Sequence, residues 1–245
     1  MSFAAVLHSE WIKVKSLRGT AGSLLAVLLV TLGVTALTFA TVGRAEADNP
    51  GAEPVFGAFY ALNFGQIAAI SFGATALSSE YLNGALRVSL AAVPRRTRFY
   101  AAKIAVTGGL ALAVGLVTSF ASFLLGQSFL GSYAIGLDHP GALRACFGAG
   151  IYLALMALLA AGLATVLRSG VAVLGILIPF VLIVSFVVGD VAGGAAQFLP
   201  DRAGQQILHA DPAGHLGPWS GLAVCAAWAA ASVLAGWWTL RRRDA

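Results

Sequence analysis

Gly22-Ser23-Leu24-Leu25-Ala26-Val27-Leu28-Leu29-Val30-Thr31-Leu32-Gly33-Val34-Thr35-Ala36-Leu37-Thr38-Phe39-Ala40-Thr41-Val42 runs for 21 residues without a charge. As a helix rising 1.5 Å per residue, such a run crosses a hydrocarbon core of about 30 Å, where backbone groups must be satisfied internally. Five further runs of the same kind occupy 56–78, 104–126, 143–167, 171–189 and 219–240. The pattern predicts an all-α membrane protein, a single domain over 1–245 with six transmembrane helices. Hydrophobic residues make up 59% of the chain and charged ones 10%, against roughly 45–50% and 25% in soluble domains, which leaves no room for a sizeable water-soluble domain.

The basic residues alternate between the gaps. Lys13, Lys15 and Arg18 precede the first run; Arg87, Arg95, Arg96, Arg98 and Lys103 fill the second gap; Arg168 lies in the fourth and Arg241, Arg242 and Arg243 close the chain, so 12 of the 15 Lys and Arg fall on one side. Only Arg44, Arg144 and Arg202 lie in the odd gaps, which instead hold Glu46, Asp48, Glu53, Asp138, Asp190, Asp201 and Asp211. By the positive-inside rule both termini are cytoplasmic, as an even number of spans requires. The net charge of +5 resides in these clusters. They face anionic lipid or a partner protein, and nothing in them points to nucleic acid.

Two alternatives are set aside on the same grounds. Ala45-Glu46-Ala47 after the first run has the small-x-small form of a signal-peptidase site, but the run exceeds the usual 7–15 residues and its removal spoils the charge alternation. Cys146 and Cys225 both lie inside apolar runs, where small packing residues are expected rather than a disulfide.

Two stretches on the basic side carry more than anchoring. Before the first span, over 1–20, Phe3, Val6, Leu7, Trp11, Val14 and Leu17 recur at helical spacing, with His8, Lys13 and Lys15 on the flanks or far side, which predicts a helix lying in the membrane interface. Glu10 breaks this pattern by falling on the apolar face, either to reach the headgroups or to pair with an Arg of the second gap. In that gap, over 80–100, Asn83-Gly84 signals a turn and Pro94 a stop, and between them Leu86, Leu90 and Val93 form an i, i+4, i+7 stripe. A short amphipathic helix is thus expected between two spans, its apolar edge available to a groove. Glu80, at the end of the second span, calls for a cation to offset the helix dipole. The candidates are Arg87 and a basic residue of the N-terminal helix, with a solvated carboxylate as the alternative.

These two stretches resemble the permease subunits of ABC transporters of the type-2 exporter class, in particular small six-span bacterial members. Members begin with an interfacial elbow helix, similar here to residues 9–18 with Glu10, Trp11 and Lys13. Their first cytoplasmic loop runs Glu-x-x-x-Gly-(Thr/Ala)-(Leu/Ile)-Arg, then a Leu, a Pro, an Arg and a Lys. This chain offers Glu80, Gly84, Ala85, Leu86, Arg87, Leu90, Pro94, Arg96 and Lys103, with Ala85 where Thr is common. The resemblance implies that this loop is a coupling helix docking onto a separate ATPase subunit, and that two permease chains, identical or related, work with two ATPase copies in the bacterial plasma membrane. ATP and magnesium then belong to the ATPase, with no cofactor in this chain. The implied activity is export of an amphiphilic or peptide-like compound. The Gly- and Pro-containing segment 190–218 is similar to the external re-entrant region of such permeases.

The chain's lack of nucleotide-binding and hydrolase motifs fits a division of labour. The chain has no Gly-x-x-x-x-Gly-Lys-(Ser/Thr) loop to cradle ATP phosphates, no His-Glu-x-x-His and no Gly-x-Ser-x-Gly. It is therefore expected not to be an enzyme; the other classes weighed are an intramembrane enzyme and a non-transporting scaffold or sensor. His209, Asp211 and His215 could in principle hold a metal in the external loop, but solvated loop residues are the simpler account and no metal site is expected. The central parts of the six runs carry no Asp, Glu, His, Lys or Arg, so no ion relay is foreseen and the driving force is expected from outside the membrane. Thr31, Thr35 and Thr38 form a row suited to helix packing, while Asn63 and Gln66 suit either interhelical hydrogen bonding or the lining of a pathway.

Overall fold

The computed structural model describes residues 2–16, 18–49, 53–184, 187, 193–210 and 215–242. All the regular structure among the described residues is helical. An N-terminal helix α1 (Phe3–Ser16) leads into α2 (Arg18–Thr41), followed by the short turns α3 (Gly43–Ala47) and α4 (Pro54–Gly57). Then come α5 (Leu62–Ser78), a 3-10 turn Ser79–Tyr81, the short α6 (Ala85–Ala92) and the long α7 (Arg96–Leu130). The second half holds α8 (Ala142–Leu167), α9 (Gly170–Pro179), α10 (Pro200–Gln205) and α11 (Pro218–Arg242).

Four of these, α2, α7 with its extension to Tyr133, α8 and α11, are long and apolar enough to cross a membrane. The two remaining runs, expected as uninterrupted spans, are not single long helices. The second is split: α4 and α5 are separated by a turn, leaving 17 residues in α5. The fifth ends as an α-helix at Pro179 and continues as a π-helical turn, Phe180–Val184. Proline has no N–H to donate and crowds the carbonyl of residue i−4, and a wider turn is one way a helix accommodates that. The third run is longer than expected. α7 has 35 residues, about 50 Å at 1.5 Å per residue, so it carries the basic stretch from Arg96 to Lys103 as two extra turns beyond the apolar run.

Helix α8 is the hub, packed against α5, α7 and α11. Glycines set how close these helices come. Gly73 of α5 lies against the Ala157 carbonyl and Gly162 of α8 against the backbone of Ser232, both so close that a Cβ has no room. Gly115 of α7 approaches the Gly150 carbonyl, where a Cβ would stand 2.7 Å from its oxygen. Small residues allow such contact where lipid provides no hydrophobic drive between helices. Two of the three threonines do the packing foreseen for the row: Thr35 Oγ1 lies 2.7 Å from Ser122 Oγ of α7, and Thr31 is pressed against Gly65 of α5. α2 is the least covered span, with Leu25, Leu29, Val30 and Leu37 exposed on its outer face.

Candidate functional site: an ionic cluster beneath the short loop helix

Four charged side chains from three separate elements converge where α1, α6 and the start of α7 meet. α1 is amphipathic, and its apolar face, with Val6 and Val14, is buried against α7. Glu10 and Lys13 sit one turn apart on this helix and pair at 2.8 Å. Glu80 comes from the 3-10 turn that ends α5, and Lys103 from the basic N-terminal extension of α7. Lys103 Nζ stands 2.8 Å from Glu10 Oε2 and 2.6 Å from Glu80 Oε1. Lys13 Nζ closes the square, 3.1 Å from Glu80 Oε1. Ser89 of α6 donates to Glu80 Oε2 at 2.8 Å and accepts from Lys13 at 3.0 Å.

The cluster is neutral and mostly closed to solvent. The Glu10 and Lys103 side chains are 2% exposed and Glu80 6%, whereas Lys13 keeps 34% at the rim. Isolated buried charges are very costly, and two ammoniums interleaved with two carboxylates give each a partner. Burial by itself pushes the Glu80 carboxyl upward, but Lys103 first, then Lys13 and the Ser89 hydroxyl, outweigh it and hold its pKa below the ordinary value. Burial likewise works against the charge on Lys13, and Glu10 and Glu80 overcome it and raise its pKa. Both partners are held ionised.

The resolution of the Glu10 question is therefore a pair with Lys13 and Lys103 rather than the headgroups or an Arg of the loop. For Glu80 the N-terminal helix supplies the cation, Lys13, as one of the two candidates foresaw. Lys103 enters the sequence reading as the closing Lys of the loop motif, with no partner assigned to it, and Ser89 carries no signal in sequence. What sets Lys103 apart is its distance from the other basics: it lies five residues beyond Arg98, directly before the apolar run.

The loop helix has its expected boundaries and a different orientation. Asn83 and Gly84 adopt φ of 52° and 73°, the left-handed turn their sequence announces, and Pro94 follows the end of α6. The stripe expected to face a partner instead turns inward. Leu86 is buried, and Leu90 and Val93 pack on the same core. The ionic cluster explains this: Ser89 must point down to Glu80, which rotates its neighbours on that face inward too. The outward side presents Val88, 73% exposed, with Leu82 at 63% on the preceding turn, beside Arg87, Arg95 and Arg98. Arg96 reaches to a different helix, donating to the Leu240 carbonyl at 2.8 Å, where a cation suits the C-terminal end of α11. Trp11 lies outward on α1 with Lys15 over its ring at 4.8 Å, and Leu17 lies outside the described residues.

Asn63 and Gln66 join helices together. Gln66 is buried and accepts from the Tyr152 hydroxyl of α8, and Gln205 of α10 donates to Asn63 Oδ1 at 3.1 Å and lies 3.4 Å from the Tyr152 oxygen. Sequence spacing had no means of bringing Tyr152 and Gln205 to this pair. Asp201, counted among the loop acids, is buried at the first turn of α10, where the helix dipole favours it. Not all of His209, Asp211 and His215 fall within the described residues. Asp211 lies outside them, while the His209 ring stacks on Phe56 with centroids 4.1 Å apart and its Nδ1 lies 3.2 Å from Glu53 Oε2.

These features define an all-α, multi-pass membrane protein in which a short loop helix is locked by buried charges to a spanning helix and to the N-terminal helix. The chain belongs to the family of ABC-2 family transporter proteins, whose family model matches residues 6–186. That match takes in all four charged residues of the cluster and the loop above it. A search of curated proteins found none that matches.

Proposed function

We propose that this chain is the membrane-spanning permease subunit of an ATP-driven exporter, in which the 80–100 segment is the coupling helix and α1 the elbow helix. The observation that carries this is the Glu80 cluster: α6 is tied through Glu80 and Ser89 to Lys103 of α7 and Lys13 of α1, so a push on α6 is transmitted to the bundle rather than absorbed by a loose loop. Family membership supports an ABC ATPase as the source of the push. The partner's contact surface is the outward side, Leu82 and Val88 with Arg87, Arg95 and Arg98, rather than the Leu86 stripe.

The rest of the assembly follows the resemblance: six crossings, counting the split second run and the broken fifth, two permease chains with two ATPase copies, cytoplasmic termini in a bacterial plasma membrane, and an amphiphilic or peptide-like cargo. ATP and magnesium are bound by the partner. The test is copurification with the ATPase and transport-stimulated ATP hydrolysis in vesicles. Val88→Asp is expected to reduce both while leaving the fold intact, and Leu86→Asp to lower the yield of folded protein. Unchanged copurification and hydrolysis in Val88→Asp and Leu82→Asp alike would remove the loop from the interface.

A further inference from the structure

Helices α1, α2 and α7 enclose an elongated apolar groove of about 410 Å³ on the outer surface of the bundle. α1 contributes Trp11 and Lys15, α2 Leu25 and Leu28, and α7 Ala113 and Val117. From Ala21 to Leu28 the groove follows α2 for about two turns, roughly 10 Å along the membrane normal. Its only charged lining residue is Lys15, at the end where α1 meets α2. Arg18 precedes Ala21 by three residues and Leu25 by seven, so it stands on the same face of α2 just above the groove's mouth. Among the described residues neither Lys15 nor Arg18 is paired with a carboxylate.

We propose that this groove binds one anionic phospholipid, with an acyl chain between α2 and α7 and the phosphate at Lys15 and Arg18. Charge decides between the two occupants that fit an apolar groove in a membrane. A second copy of this chain has little to offer two cations that lack carboxylate partners at that level; Lys15 lies only over the Trp11 ring. Of the acids at this end, Glu10 and Glu80 are buried in the ionic cluster, and Asp244 follows three arginines outside the described residues. An anionic lipid brings a phosphate at headgroup depth and a chain that matches the apolar wall below it. Trp11 marks that depth, since indole rings favour the interface. The bound lipid wedges α1 against the bundle and thereby braces the helix that supplies Glu10 and Lys13.

The experiment uses the full chain in mild detergent, equilibrated with equal amounts of phosphatidylglycerol and phosphatidylcholine bearing the same acyl chains. Retained lipid is counted by native mass spectrometry. Phosphatidylglycerol is expected to be retained preferentially. Each cation near a phosphate is worth about fivefold, so Lys15→Gln is expected to lower its retention about fivefold and Lys15→Gln with Arg18→Gln about 25-fold. Ala113→Trp, which fills the groove, is expected to abolish retention of the bound lipid, whereas Arg241→Gln with Arg242→Gln, the same charge lost elsewhere, leaves it unchanged. The proposal is overturned by unchanged retention in the double Lys15 and Arg18 variant, by equal losses from the Arg241 and Arg242 control, or by displacement of the lipid with millimolar glycerol phosphate, which needs no groove. A Val117→Cys variant that forms a disulfide-linked dimer in membranes would give the groove to a second copy and overturn it as well.

Discussion

Removing charges from the cluster one at a time and then together tests whether it is a coupled unit. In Lys103→Met, Glu10 and Glu80 lose partners at 2.8 and 2.6 Å and are left sharing Lys13. Breaking a buried pair by deleting one member costs about 3–5 kcal/mol, and here the lower end applies because one cation remains. In Glu80→Gln, the amide oxygen stays with Lys103 and Lys13, whose charge-assisted bonds weaken, and the amide NH2 turns to Ser89, which accepts in place of donating, for a loss of about 2–3 kcal/mol. The double variant is electrically balanced again: the Glu10 and Lys13 pair at 2.8 Å survives, and the Met side chain fills the Lys103 volume. Its loss is expected to be about 3 kcal/mol rather than the sum of about 5–6, a coupling energy of about 2–3 kcal/mol. Hydrogen exchange of the α6 amides in detergent, followed by mass spectrometry, gives the readout. A loss of about 3 kcal/mol corresponds to roughly 150-fold faster exchange where α6 opens together with the cluster. Additive losses, or single variants within about 0.5 kcal/mol of the wild type, refute the view that α6 is held by shared buried charge.

The pH dependence of the same exchange has two edges. The Glu80 pKa is held below 4.5, so its contribution is complete above that value and is lost as pH falls through the lowered pKa; that of Lys13 is held above 10.5, so its contribution is complete below that value and is lost as pH rises through the raised one. α6 protection, after correction for intrinsic exchange, is expected to be flat between these limits. At the helix contacts, Gly162→Val and Gly73→Leu place side chains against backbone and are each expected to destabilise by at least the 1–3 kcal/mol typical of overpacking, measured by thermal unfolding in detergent. Gly109→Ala, where a Cβ meets nothing within 4 Å, serves as the neutral comparison. For sidedness, single cysteines at Arg98 and Tyr133, in a background lacking Cys146 and Cys225, are expected to react with an impermeant thiol reagent on intact cells only at Tyr133.

Much of this protein was legible in one dimension because the membrane imposes one-dimensional rules. Helix is the available backbone form over a charge-free run of twenty residues, and the alternation of basic and acidic gaps predicts orientation without reference to any contact. The turn at Asn83-Gly84, the stop at Pro94 and the anomaly of Glu10 on an apolar face were likewise local facts. What lay beyond the sequence was how faces meet. The Leu86, Leu90 and Val93 stripe has the same spacing whether it seeks a partner or its own core; Ser89 bonding to Glu80 settles its direction, and that bond exists only when α1 and α7 bring Lys13 and Lys103 to the same place. Spacing also marks Gly109 and Ala113 as well as it marks Gly115, but only the packed bundle puts Gly115 against Gly150 and leaves Ala113 on an open groove. Pairing across a bundle depends on helix rotation and depth, which are set jointly by all neighbours, and so the cluster and the groove are properties of the assembled helices.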